Sequence, residues 1–241
     1  MKIKPRLILL SNLLMVLLLT AVPVLAASDA DIYIPIAMNQ PNPTIPGRII
    51  NAPFFNSPDV LQSNFADTAV FWYGKIGTNQ SSTDVRVAYT NSELVFYTTT
   101  YDRVLAYNPN SNGSDLIQWD TAALAIQTSS GNAARPGANA YRFLVEARFW
   151  EPQNDPDYQA TYRGNGSGWS SQAIPFTNQY GHITGDAFDR GWAIVFRIPF
   201  SSLGLSKPAD GTVWRVHLDT YNTNSDSGPS LGSQVWPENS D

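Results

Sequence analysis

The sequence predicts an all-β protein, a sandwich of two antiparallel sheets. Three observations carry this expectation. Several segments alternate apolar and polar residues with a period of two, as half-buried strands do. Turn-forming residues separate them. Beyond the first 26 residues, no segment carries a helical apolar stripe of ten or more residues. Half-polar sheets bury their apolar faces most simply against each other.

The chain begins with an export signature. Lys2, Lys4 and Arg6 form a positive stretch, and Leu7 to Ala21 is apolar except for Ser11, Asn12 and Thr20. Val24-Leu25-Ala26 offers the small residues a signal peptidase reads, so cleavage is expected after Ala26. The apolar run is short for a membrane span of about 20 residues, so no span is expected after cleavage. The protein is expected to be secreted or held at the cell surface. Residues 27–48 read as a tether, because Pro35, Pro41, Pro43 and Pro46 interrupt any regular element. The folded domain is expected over 49–241.

Within it, Val85, Val87 and Tyr89 share one strand face. Thr90-Asn91-Ser92 makes a turn, and Leu94, Phe96 and Thr98 alternate on the return, which predicts a hairpin. Thr121–Gln127 is Ala-rich but too short for a convincing helix. Tyr141, Phe143, Val145, Ala147 and Phe149 share a face opposite Arg142, Leu144, Glu146 and Arg148. Trp192, Ile194, Phe196 and Ile198 form another apolar face. So do Trp214, Val216 and Leu218, with Arg215, His217 and Asp219 pointing away.

Composition narrows the chemistry. The net charge of −5 becomes more negative once Lys2, Lys4 and Arg6 are removed, and an acidic chain repels phosphate backbones, so nucleic acid is not an expected partner. Without cysteine there is no disulfide framework, thiolate chemistry or Cys-based zinc site. A domain of this size buries enough surface without disulfides. The two histidines, His182 and His217, lie in no nucleophile constellation. Glu93, Glu146 and Glu151 suggest no pair of carboxylates flanking one bond, and Glu146 reads as a salt-bridge partner of its strand neighbours Arg142 and Arg148. No enzyme activity is expected. Asp219, Asn222, Asn224 and Asp226 place oxygen ligands close together, a spacing that allows a structural calcium or, equally, a turn.

Four segments resemble family 9 carbohydrate-binding modules and their DOMON-like relatives. Asp84-Val-Arg-Val-Ala-Tyr-Thr-Asn-Ser-Glu-Leu-Val-Phe-Tyr-Thr-Thr-Thr-Tyr-Asp102 resembles their opening hairpin. Gln118-Trp-Asp-Thr-Ala-Ala-Leu-Ala-Ile126 is similar to the Trp-acidic strand that follows. Gly191-Trp-Ala-Ile-Val-Phe-Arg-Ile-Pro-Phe200 and Gly211-Thr-Val-Trp-Arg-Val-His-Leu-Asp219 resemble the late strands. The order holds across roughly residues 50–237.

The resemblance implies a jelly-roll or immunoglobulin-like sandwich that binds a polysaccharide or oligosaccharide without cleaving it, within a polysaccharide-degrading system. It places the two sugar-stacking indoles on Trp119 and Trp236, with Asp120 as the nearest acid. Positions that carry sugar-binding carboxylates in the family fall here on Ala122, Ala125 and Val195. It also implies one more strand after the Trp236 segment. Haem, which some DOMON-like domains bind, would lack an axial methionine, since only Met38 follows the signal. The alternative is a cell-surface structural or interaction sandwich that has lost its sugar site. The glycan and the oligomeric state stay open.

Overall fold

The computed structural model describes residues 49–57, 65–77, 80–102, 104–129, 135–148, 158–184, 189–223 and 230–237. The expected signal and tether, residues 1–26 and 27–48, lie outside them. Among the described residues eleven strands form two antiparallel sheets. In chain order they are β1 (Ala69–Gly77), β2 (Gln80–Tyr89), β3 (Glu93–Tyr101), β4 (Thr121–Gln127), β5 (Ala140–Glu146), β6 (Gln159–Gly164), β7 (Trp169–Ser171), β8 (Thr177–Thr184), β9 (Asp189–Pro199), β10 (Arg215–Thr223) and β11 (Ser230–Trp236). One sheet runs β1-β2-β3-β9-β8 and the other β11-β10-β4-β5-β6-β7. Among the described residues no helix is long and apolar enough to cross a membrane.

The period-two pattern translates directly into packing. Val85 and Val87 of β2, Leu94 and Phe96 of β3, and Trp192, Ile194, Phe196 and Ile198 of β9 face inward from the five-stranded sheet. Ala122, Leu124 and Ile126 of β4, Tyr141, Phe143 and Val145 of β5, and Leu218 of β10 meet them from the other side. The expected hairpin is β2–β3, with Val85 opposite Thr98 and Tyr89 opposite Leu94. Its turn is tied by the Thr90 hydroxyl, which accepts from the Ser92 and Glu93 amides. The Ala-rich stretch is a strand, β4, at the centre of the six-stranded sheet, between β5 and β10. Its methyl groups let the neighbouring strands' larger side chains fill the space on both faces.

The core is not purely apolar. The Tyr73 hydroxyl lies 2.6 Å from that of Thr220, and Thr83 bonds both Thr220 and Thr100, so a hydroxyl chain crosses between the sheets. Each buried oxygen in it finds a partner, which spares the cost of an unpaired polar group.

The outer face of the six-stranded sheet departs from the half-polar pattern. A 3-10 segment, Gly113–Gln118, lies across part of it and packs Leu116 on Ala123 and Leu144. Glu146 and Arg148, expected on a polar face, are fully buried beside this segment. Their ion pair, Arg148 Nη2 to Glu146 Oε2, measures 2.7 Å. Arg142 does not join it and turns to Asp219 instead, at 3.4 Å.

Candidate functional site

The expected site residues do not converge. Trp236 is not in a loop: it is the last residue of β11, paired with Leu218, and only 4% exposed. Its rings pack between the sheets on Phe71, with centroids 4.5 Å apart. An indole so enclosed has no free face for a sugar, so the stacking role gives way to a core role.

Asp120 is likewise buried, at 0% exposure. One carboxylate oxygen accepts from the Ala106 amide and the other from the Thr223 amide, each at 2.8 Å. It ties the segment before the 3-10 turn to the end of β10, and a sugar hydroxyl would have to displace one of these bonds. Burial pushes its carboxyl up to about 8, against the lowering pull of those two amides. Trp119, which closes the 3-10 segment by donating its backbone N–H to the Leu116 carbonyl, is half-buried and keeps some surface.

The proposed calcium ligands also separate. Asp219 and Asn222 are three apart on one strand and so point to opposite faces. Asp219 faces outward, bonded to Arg142 and His217, while Asn222 lies on the inner face and is 3% exposed. One cation cannot take both. Asn224 and Asp226 lie outside the described residues, as does Glu151, and no cluster of three His, Asp or Glu able to hold a metal occurs among the described ones.

The sites that carry carboxylates in the resembling family divide in the same way. Ala122 faces the core and Val195 belongs to the five-stranded sheet. Ala125 alone faces outward on β4, between Arg142 of β5 and His217 of β10. It forms the floor of a groove of about 220 Å3 on the part of the sheet that the 3-10 segment leaves uncovered. Ala140 and Gln127 continue the floor, Arg215 and His217 form one wall, and Trp169 and Arg135 the other.

The sequence reading missed Trp169. It opens β7, a strand of three residues, opposite Gly164. The preceding turn is firmly built: the Asn165 side-chain carbonyl accepts from the Ser167 and Gly168 amides, each at 2.9 Å. Pro136 and Gly137 lie so close over Gly164 that a Cβ there would come within 2.3 Å of the Gly137 carbonyl. The Gly166 amide bonds the Pro136 carbonyl at 2.9 Å, which ties together the turns that carry Trp169 and Arg135. The groove thus combines one half-buried indole, polar groups able to bond hydroxyls, and a floor of methyl groups. Among the described residues no carboxylate lines it.

No family model matches the chain, and no curated protein matches it. Three solved structures are similar. A family 9 carbohydrate-binding module from Caldicellulosiruptor kristjanssonii, in complex with cellotriose, superposes with a TM-score of 0.55 at 14% identity over 76% of this chain and 82% of that one. The glucose complex of a family 9 module from the same organism gives 0.49 at 16% identity, over 85% of this chain and 83% of that one. A putative carbohydrate-binding protein from Bacteroides uniformis gives 0.48 at 12% identity, over 74% and 80%. The likeness read from the four sequence segments therefore extends to the architecture: this chain has the β-sandwich fold of a family 9 carbohydrate-binding module.

Proposed function

We propose that the protein is a secreted, non-catalytic carbohydrate-binding module whose ligand lies in the groove over Ala125. The observation that carries this reading is the groove itself, an indole facing polar side chains across a floor of small residues. A pyranose presents an apolar C–H face suited to an indole, and its hydroxyls need donors and acceptors at the rim. At about 220 Å3 the space is smaller than the roughly 300–1,000 Å3 of sites for drug-sized ligands, and it suits one sugar ring of a chain that continues into solvent. Among the described residues that line the groove there is no pair of carboxylates such as glycoside hydrolysis needs, which supports binding without cleavage. The fold's likeness to a module solved with cellotriose supports the same ligand class. Work beside polysaccharide-degrading enzymes follows as the natural use of such a module.

Affinity electrophoresis on soluble polysaccharides tests it. The full chain is expected to be retarded on at least one glycan, and Trp169→Ala to abolish the retardation. Trp119 remains a second candidate platform at the far end of β4. Loss of retardation in Trp119→Ala but not in Trp169→Ala would move the site there. No retardation on any glycan would contradict sugar binding. It would favour the cell-surface structural or interaction sandwich, a reading that the burial of Trp236 and Asp120 also supports.

A further inference from the structure

Resting on the groove as the sugar site, we infer that its ligand is an anionic glycan, one whose sugar rings carry carboxylate or sulfate groups. The groove's charge is one-sided. Two guanidinium groups, of Arg135 and Arg215, and the imidazole of His217 stand along its walls, and among the described residues no Asp or Glu lines it. Arg142, beside Ala125 in the sheet register, turns its guanidinium to Asp219 and the Tyr221 hydroxyl. Asp219, next to His217 on β10, is shared between Arg142 and His217. A neutral sugar asks for a balance of donors and acceptors. This lining is rich in donors, because guanidinium groups donate and never accept.

The acidic remainder of the chain does not reverse this preference. At physiological ionic strength exposed charges are screened beyond about 8 Å, so the net charge of −5 acts weakly on a ligand already seated among the groove's own cations. Planar guanidinium groups match the two oxygens of a carboxylate or sulfate. Trp169 supplies the contact that separates a sugar acid from a simple anion: it can stack the ring while Arg135, on the same wall, reaches the exocyclic group.

Affinity electrophoresis of the full chain separates the outcomes. The probes are polygalacturonate and alginate as uronate chains, dextran sulfate as a sulfated chain, and hydroxyethylcellulose as a neutral one. The variants are Arg135→Gln, Arg215→Gln and Trp169→Ala, with Lys207→Gln as a cation outside the groove and circular dichroism to confirm folding. We expect retardation on a uronate or sulfated chain that weakens with added salt. Each arginine variant should weaken it about tenfold, the scale of one charge-assisted hydrogen bond, while Lys207→Gln leaves it unchanged. Which anionic chain retards more strongly identifies the acid group. Retardation on hydroxyethylcellulose alone, indifferent to the arginine variants, overturns the anionic preference and leaves sugar binding standing. Equal retardation of wild type and Trp169→Ala on dextran sulfate means simple ion exchange and overturns the inference. No retardation on any probe overturns the inference and the sugar reading together.

Discussion

Removing Arg148 alone should destabilise the domain more than removing both members of its buried ion pair. The Glu146 carboxylate receives four donors: the Asn108 amide at 2.9 Å, the Ser111 hydroxyl, and Arg148 through Nε at 3.2 Å and Nη2 at 2.7 Å. Arg148 also donates to the Ser111 carbonyl and hydroxyl and stacks over the Tyr158 ring. Both charged side chains are fully buried, so neither is relieved by water when the other is lost. In Arg148→Met the carboxylate keeps two donors but loses its counter-charge, and Glu146→Gln strands the guanidinium. Each single change is expected to cost about 3–5 kcal/mol, against the roughly 5–15 kcal/mol that holds a domain folded. The double variant leaves no buried charge, and its glutamine can still accept from Asn108, so it should cost less than about 2 kcal/mol. Urea unfolding of the four proteins, followed by tryptophan fluorescence and far-ultraviolet circular dichroism, measures the cycle. Additive single effects of under about 1 kcal/mol each would refute the reasoning, because that is how an exposed pair behaves.

Three further outcomes follow from the same structure. Asp120 holds its proton in the folded state to about pH 8 but in the unfolded chain only to about 3.8, so its contribution to stability is full below pH 4 and is lost as the pH rises through 8. Asp120→Asn should therefore be less stable than wild type at pH 5 and regain a few kcal/mol relative to it by pH 9, read as melting temperature across that range. A parallel pH dependence in both proteins would contradict this. Trp236→Ala should cost about 3–5 kcal/mol through the cavity left against Phe71, measured by urea unfolding, whereas a near-neutral effect would return Trp236 to the surface. Gly191 has φ of 150°, and a Cβ there would meet the Thr100 carbonyl at 2.1 Å, so Gly191→Ala should cost about 3 kcal/mol or more by separating β9 from β3. An unchanged melting temperature would show that the strands part without cost.

The strands with clean alternation were legible in the sequence because their pattern is set locally. β2, β3, β5, β9 and β10 each place every second side chain in the core. Others were not legible for equally local reasons. β7 has three residues, too few to show a period, and β11 reads Ser-Leu-Gly-Ser-Gln-Val-Trp, in which glycine and serine suggest a loop. The site was harder still. Glu146 and Arg148 alternate as solvated residues would, and only the 3-10 segment folding over them makes them a buried pair. Trp169 follows a Gly-Ser-Gly stretch that looks like a linker, so its place beside Ala125 emerges only when β6 and β7 pair. Its one local signal was an aromatic residue set directly after a tight turn.

Titrating the full chain with an oligosaccharide while following tryptophan fluorescence tests the central claim most directly. A saturable change in wild type that disappears in Trp169→Ala, with the fold intact by circular dichroism, is the predicted result. Saturable binding by calorimetry with no change in fluorescence, or a change of equal size in Trp169→Ala, would contradict a sugar site in the groove over Ala125.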